Sequence, residues 1–303
     1  MSTLAIILVV LSAFMHAGWN LLSKRQHPSA AFFLVSSITG GLLLAPALVI
    51  HRTTLMHHVP LRVWVLLLST GFFMALYFIS LAGAYRAGDM SVAYPLARSS
   101  PVIVVTVVAL ALGRGDQVSA VCVAGIMLVV GGCFLIPLQR FRDLRLRNYL
   151  NPVCGLALLA AVGTSGYSIL DDEALRLLRS DAGAAIGNTQ MTLVYACLEA
   201  LAASLWLSLF VVLRRKGRSS LSQALRTNKR HAVAAGVAIH LTYVLVLVSL
   251  AFVNNVSYVV GFRQLSIALG ATFGVLVLKE PAYAPKLAGT AIMFVGLVLV
   301  ATG

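Results

Sequence analysis

Acidic side chains are scarce: nine Asp and Glu against 23 Lys and Arg in 303 residues, with charged types making only 11% of the chain. A water-soluble domain must cover its outside with polar groups, and a chain that is 60% hydrophobic does not supply them. A bilayer removes that requirement, because lipid solvates the outside of apolar helices. The formal net charge of +14 would suggest nucleic acid as partner of a soluble domain. Here the basic residues sit in short runs between apolar stretches, as in cytoplasmic loops of membrane proteins, so no nucleic-acid partner is expected.

Other absences narrow the function. The four cysteines, Cys122, Cys133, Cys154 and Cys197, all lie in apolar stretches without CxxC spacing, which leaves neither a disulfide framework nor a thiolate metal site. His51, His57 and His58 share a loop with no acidic or thiol neighbour, so no metal is expected there. Neither a P-loop nor a GxGxxG pattern occurs, which argues against ATP-driven transport by this chain and against a dinucleotide cofactor. No nucleophile–base pair is visible, and no enzymatic activity is expected. The first apolar stretch has no basic residue before it and no small-residue cleavage site, and reads as a retained helix.

What is present is a set of ten apolar segments, each about the 20 residues that cross a bilayer: 3–22, 31–50, 62–85, 90–112, 118–137, 152–171, 189–213, 232–252, 256–278 and 285–302. Two links hold most of the charge, 139–151 with four arginines and 214–230 with seven Lys or Arg. With the N-terminus inside, the cytoplasmic loops would hold only Arg52, Arg62, Arg114, Arg176 and Arg179, and both charged links would face out. The positive-inside rule prefers the reverse, so both termini are expected outside.

The chain also repeats itself. Asp116, Gly125 and Gly132 have the same nine-and-seven spacing as Glu280, Gly289 and Gly296; Gly18-Trp19 on the first segment answers Gly166-Tyr167 on the sixth; Arg98 and Arg263 fall at similar depths of segments four and nine. Residues 1–137 and 152–303 therefore read as two five-helix halves joined by a basic linker at 138–151. An odd number of spans per half forces opposite insertion, giving an inverted repeat of the kind that builds alternating-access sites.

The stretches SVAYPLARSSPVIVVTVVALALGRGDQVSAVCVAGIMLVVGG and VSYVVGFRQLSIALGATFGVLVLKEPAYAPKLAGTAIMFVGLVLV, with the openings HAGWNLLSKR and GYSILDD, resemble the EamA-type half of the drug/metabolite transporter superfamily. The likeness spans nearly the whole chain. It implies an all-α membrane protein of ten transmembrane helices, two inverted five-helix repeats around a central cavity, transporting metabolites such as amino acids, often as export. One departure is Arg114-Gly115-Asp116, where the family carries Gly-Glu; the second half keeps Lys279-Glu280, an acid expected to cap or orient a helix end. Fold-level likeness says little about substrate.

Charges inside apolar spans are costly, roughly 2.5–3.5 kcal/mol on insertion scales, and three need a reason: Arg98, Glu199 and Arg263. The arginines suit a carboxylate or phosphate, which their planar forks meet bidentately. The alternative is a permanent ion pair with Glu199 that ties helices together. Glu199 is the candidate proton-coupling group, or a seat for an ammonium. Arg and Glu together would suit a zwitterion. Aromatic candidates for the wall of the site are Trp19, Tyr77, Tyr94, Tyr195, Tyr243 and Tyr258, set against the ordinary packing and interfacial uses of tyrosine. His16 and Asn20 share a face of the first span, and His240 lies in the eighth. Pro95 and Pro101 interrupt segment four as candidate hinges. Asp171-Asp172-Glu173 reads as a solvated helix end, the alternative being that Asp171 reaches into the site from the helix that carries Gly166-Tyr167.

The expected function is a secondary transporter, an exporter, of a small polar metabolite, an amino acid or related zwitterion, in a bacterial-type inner membrane. Partners would be the substrate, the bilayer, protons as coupling ion, and either none or one further copy of the chain. Alternatives are an organic-cation or choline-like carrier, an exchanger of phosphorylated solutes, and a non-transporting, lipid-handling subunit.

Overall fold

The computed structural model describes residues 3–51, 59–111, 119–143, 145–182, 187–250, 252, 259 and 262–302. Its elements are helices α1 (Thr3–Arg25), α2 (Ala30–Ile50), α3 (Leu61–Ala87), α4 (Met90–Ala111), α5 (Ala120–Leu135), α6 (Pro152–Ala182), α7 (Asn188–Leu213), α8 (Arg215–Arg226), α9 (Lys229–Leu250), α10 (Leu265–Leu276) and α11 (Ala284–Thr302), with a 3-10 turn at Leu146–Asn148. There is no strand among the described residues. Eight of these helices are long and apolar enough to cross a membrane; α5 and α10 are shorter apolar helices. Each of the ten apolar segments contributes a helix, and the protein is a multi-pass integral membrane protein. Local chemistry sets several starts: Ser29 and Ser119 accept from the N–H of Phe32 and Cys122, and Asn151 from that of Cys154, capping α2, α5 and α6.

Three elements differ from expectation. Helix α6 does not end at 171 but continues to Ala182, so Asp171 lies within the helix. The link 214–230 contains a helix of its own, α8. Helix α4 also runs unbroken through Pro95 and Pro101.

Burial is distributed as lipid exposure requires. Ile7, Leu42, Val107, Met127, Leu205 and Leu276 are exposed apolar residues, whereas Ser12, Asn20, Ser36, Thr70, Ser99 and Ser266 are buried. With lipid on the outside, hydroxyls find partners between helices, and apolar chains lose nothing by facing out.

The chain divides into two compact units, each drawing on both sequence halves. The first comprises residues 1–27, 80–162 and 241–303. Its helices α5 and α11 are packed backbone to backbone through glycines. A Cβ on Gly125 would stand 2.6 Å from the Gly296 carbonyl oxygen, and one on Gly296 would stand 2.6 Å from that of Gly125. One turn pair further on, a Cβ on Gly132 would meet the Gly289 oxygen at 2.7 Å and the converse distance is 2.9 Å. As the residue number rises on one helix it falls on the other, so the pair is antiparallel and its contacts are reciprocal. These are the four glycines of the nine-and-seven spacing. At one end of the unit, Glu280 accepts from the backbone N–H of Met90 at 2.6 Å and of Ser91 at 2.8 Å. It caps α4, the role expected of that acid. Lys286 is buried beside it on α11, donating to Asp89, Ser91 and the Pro281 carbonyl.

The second unit comprises residues 28–79 and 163–240. Helix α2 packs along α7, and α8 packs on both. Ser36 donates to the Phe32 and Ala232 carbonyls, tying α2 to α9. Val63, Leu67, Ala174, Leu178, Met191 and Tyr195 form a buried apolar cluster.

Candidate functional site

In the first unit, α1 presents His16, Trp19 and Asn20 on one face, as spacings of three and four dictate. Trp19 Nε1 donates to His16 Nδ1 at 3.4 Å, and Asn20 Nδ2 to the His16 carbonyl at 2.8 Å. Tyr85 then donates its hydroxyl to Asn20 Oδ1 at 2.7 Å, fixing the amide. With Nδ1 accepting, the neutral imidazole carries its proton on Nε2. That Nε2 is buried and has no partner.

Tyr94 and Arg98, one turn apart on α4, join this wall. The Tyr94 ring centre lies 6.2 Å from that of His16. The other side of the ring presses on α10, where a Cβ on Gly270 would stand 2.3 Å from it. Arg98 and Arg263, the latter just ahead of α10, both act electrostatically on His16 and Tyr94. Ser266, in the first turn of α10, lies beside the Tyr94 hydroxyl.

The buried polar atoms of this region are largely unpartnered: His16 Nε2, Tyr94 Oη, Arg98 Nε, Ser99 Oγ, Gln264 Oε1 and Ser266 Oγ. Each costs roughly 1–3 kcal/mol if left so. Six such atoms within one unit are a set that a polar ligand or ordered water would complete. Most can donate, and the Arg98 guanidinium stands among them, a set that an anionic group would suit.

The second unit gathers a different group. Asp171 Oδ1 on α6 accepts from Thr70 Oγ1 at 2.9 Å and from the Tyr195 hydroxyl at 2.7 Å. Glu199, one turn beyond Tyr195 on α7, is partly buried and lies in the field of Asp171. Asp171 is therefore a bonded, half-buried side chain and not a solvated helix end. Glu173 faces out and pairs with Arg62 at 3.0 Å and Arg176 at 2.8 Å. Tyr77 is buried with its ring 6.2 Å from that of Tyr167.

Of the residues singled out from sequence, His16, Trp19, Asn20, Tyr94, Arg98 and Arg263 come together in the first unit. Tyr195 and Glu199 come together in the second, with Tyr77 in the same unit. Tyr243 is a partly buried residue of α9 in the first unit. Tyr258 lies outside the described residues, as do Asp116, His57 and His58. Pro95 lies between Tyr94 and Arg98, and Pro101 follows on the same helix. His240 packs against α2, its Nδ1 bonded to the Gly236 carbonyl and its ring where a Cβ on Gly40 would fall.

Sequence reasoning missed Tyr85, Ser99, Gln264 and Ser266 in the first unit and Thr70 in the second. The neighbours of the two arginines, Ser99 after Arg98 and Gln264 and Ser266 after Arg263, were the available signal. Among the described residues no cluster of three His, Cys, Asp or Glu able to hold a metal is found.

Residues 3–138 match the EamA-like transporter family. Over this part of the chain the resemblance read from the sequence is borne out. No match is found among curated proteins.

Proposed function

From a membrane chain whose residues 3–138 are of the EamA-like transporter type, we propose a secondary transporter of a small polar metabolite, an amino acid or related zwitterion, working as an exporter. Its anionic group would be held by Arg98, with His16, Tyr94 and Ser266 donating and Arg263 adding charge. The observation that carries this reading is the set of buried donors without partners around Arg98 in a membrane protein. An apolar medium makes such atoms costly unless a ligand or water completes them.

Alternating access would come from ten spans arranged as two inverted five-helix repeats, with Pro95 and Pro101 as the hinge of α4. The reciprocal contacts of Gly125 with Gly296 and Gly132 with Gly289 support this arrangement. Two antiparallel helices that exchange equivalent contacts are related by a local twofold perpendicular to both. For helices that cross a bilayer, that axis lies in the membrane plane, the relation of inverted-topology repeats. Glu199, next to Asp171, is the proposed proton-coupling group.

Purified protein in proteoliposomes tests the substrate class by competition among an amino acid, a quaternary amine and a phosphate ester. Saturable amino-acid exchange that is lost in Arg98→Gln is expected; uptake that is indifferent to Arg98→Gln would remove the site. Glu199→Gln should abolish the response to a pH gradient, and an unchanged response at every gradient would exclude coupling through it. The two arginines and the excess of donors also favour a second reading, a phosphorylated solute, which the phosphate ester would reveal.

A further inference from the structure

We infer that helix α8 and the residue before it form a binding surface for the headgroups of anionic phospholipids. Between 214 and 230 the chain carries seven Lys or Arg and no acidic residue. All seven, Arg214, Arg215, Lys216, Arg218, Arg226, Lys229 and Arg230, are exposed. The helix is pinned to the second unit on its opposite face: Ala224 is buried, and a Cβ on Gly217 would stand 2.3 Å from the Val211 carbonyl oxygen. Its cationic face is thus held outward by packing and is not free to turn away.

What selects lipid over any other polyanion is the apolar surface beside the charges. Val212 and Leu213, the last residues of a membrane-spanning helix, are 54% and 73% exposed, and Leu225 on α8 is 47% exposed. Arg214, Arg218, Leu221 and Leu225 follow one another at spacings of four, three and four, along one stripe of the helix. The Arg214 guanidinium lies 4.0 Å from the centre of the Phe210 ring, its stem laid along the apolar end of α7. Exposed Leu and Val next to exposed Arg is the composition of the boundary between hydrocarbon and headgroup, where the arginine stem stays among tails and its fork reaches the phosphates. A nucleic acid or acidic protein would leave that apolar edge in water.

The test uses the full chain in nanodiscs of mixed phosphatidylglycerol and phosphatidylcholine, with retained lipid identified by native mass spectrometry after extraction. Preferential retention of phosphatidylglycerol is expected. In Arg214→Gln/Arg218→Gln it should fall by roughly thirtyfold, about fivefold for each charge near the surface. Arg214→Lys/Arg218→Lys should keep most of it, and Arg62→Gln/Arg176→Gln, whose arginines are paired with Glu173, should leave it unchanged. Raising salt should erode the wild-type preference without any substitution. Equal retention of the two lipids by the wild type, a preference that survives Arg214→Gln/Arg218→Gln, or an equal fall in Arg62→Gln/Arg176→Gln would overturn the inference.

Discussion

In the first unit, buried polar atoms at His16, Tyr94, Arg98 and Ser266 stand without partners, while in the second the Asp171 carboxylate is held by two hydroxyls within one network. Both regions consist of polar groups on membrane helices, and both were built at the cost of apolar packing. A satisfied network repays its desolvation through its own bonds and needs nothing further. An unsatisfied one is stable only because something else completes it or because the fold tolerates the loss. The difference supports the proposed ligand site in the first unit and marks the second as a bonded carboxylate network. It also predicts that equivalent substitutions in the two units have opposite consequences.

The largest expected effect is at Arg98. Charge-assisted bonds to a desolvated anion are worth about 2–5 kcal/mol when one partner is truncated. Arg98→Gln should therefore weaken binding of the proposed amino-acid substrate by about a hundredfold or more in thermal-shift titration, with little loss of stability in the absence of ligand. If Asp171→Asn weakened that same ligand as much while Arg98→Gln did not, the assignment of roles to the two units would be reversed.

Next in size is the glycine crossing of the first unit. Overpacking a close helix contact costs about 1–3 kcal/mol, and here the obstructing atoms are backbone oxygens that do not swing aside. Gly125→Leu and Gly296→Leu should each lower stability against denaturing detergent by that order, and by similar amounts, since each meets the carbonyl of the other. A large cost at Gly296 with none at Gly125 would break the reciprocity on which the proposed inverted repeat rests.

Much of this was legible in the sequence for physical reasons. Hydrocarbon thickness imposes segment length, so ten apolar stretches announced ten helices, though not the extension of α6 or the helix α8 inside a basic link. The acid–Gly–Gly spacing was readable because only glycine allows two backbones to approach as α5 and α11 do, and because a carboxylate meets a helix N-terminus favourably. Arg98, Tyr94 and His16 stood out because charge and hydrogen-bonding capacity are rare in such a chain. Ser99, Gln264 and Ser266 did not, since hydroxyls and amides in membrane helices commonly bond the preceding turn, and only their nearness to Arg98 and Arg263 in the sequence marked them. Asp171 was misplaced for a different reason: its partners Thr70 and Tyr195 are 101 and 24 residues away in sequence, and no local pattern records them.

The smallest effects are those at Tyr94 and Ser266, and Tyr94→Phe set against Tyr195→Phe gives the sharpest contrast, because the same atom is removed in both units. Tyr195→Phe deletes a donor to Asp171, leaving Thr70 Oγ1 as the remaining hydroxyl of that network. Loss of a hydrogen bond to a charged acceptor costs about 1.5–3 kcal/mol, and unfolding measurements should show a fall of that order with ligand affinity nearly intact. Tyr94→Phe removes a hydroxyl that has no partner, so the protein without ligand should be as stable as the wild type or slightly more so. The affinity for the amino acid should fall several-fold, and Ser266→Ala should behave in the same way with a smaller change. A Tyr94→Phe protein that is destabilised as much as Tyr195→Phe, with ligand binding untouched, would mean that the Tyr94 hydroxyl is already bonded inside the fold and that Arg98 must find its substrate without it.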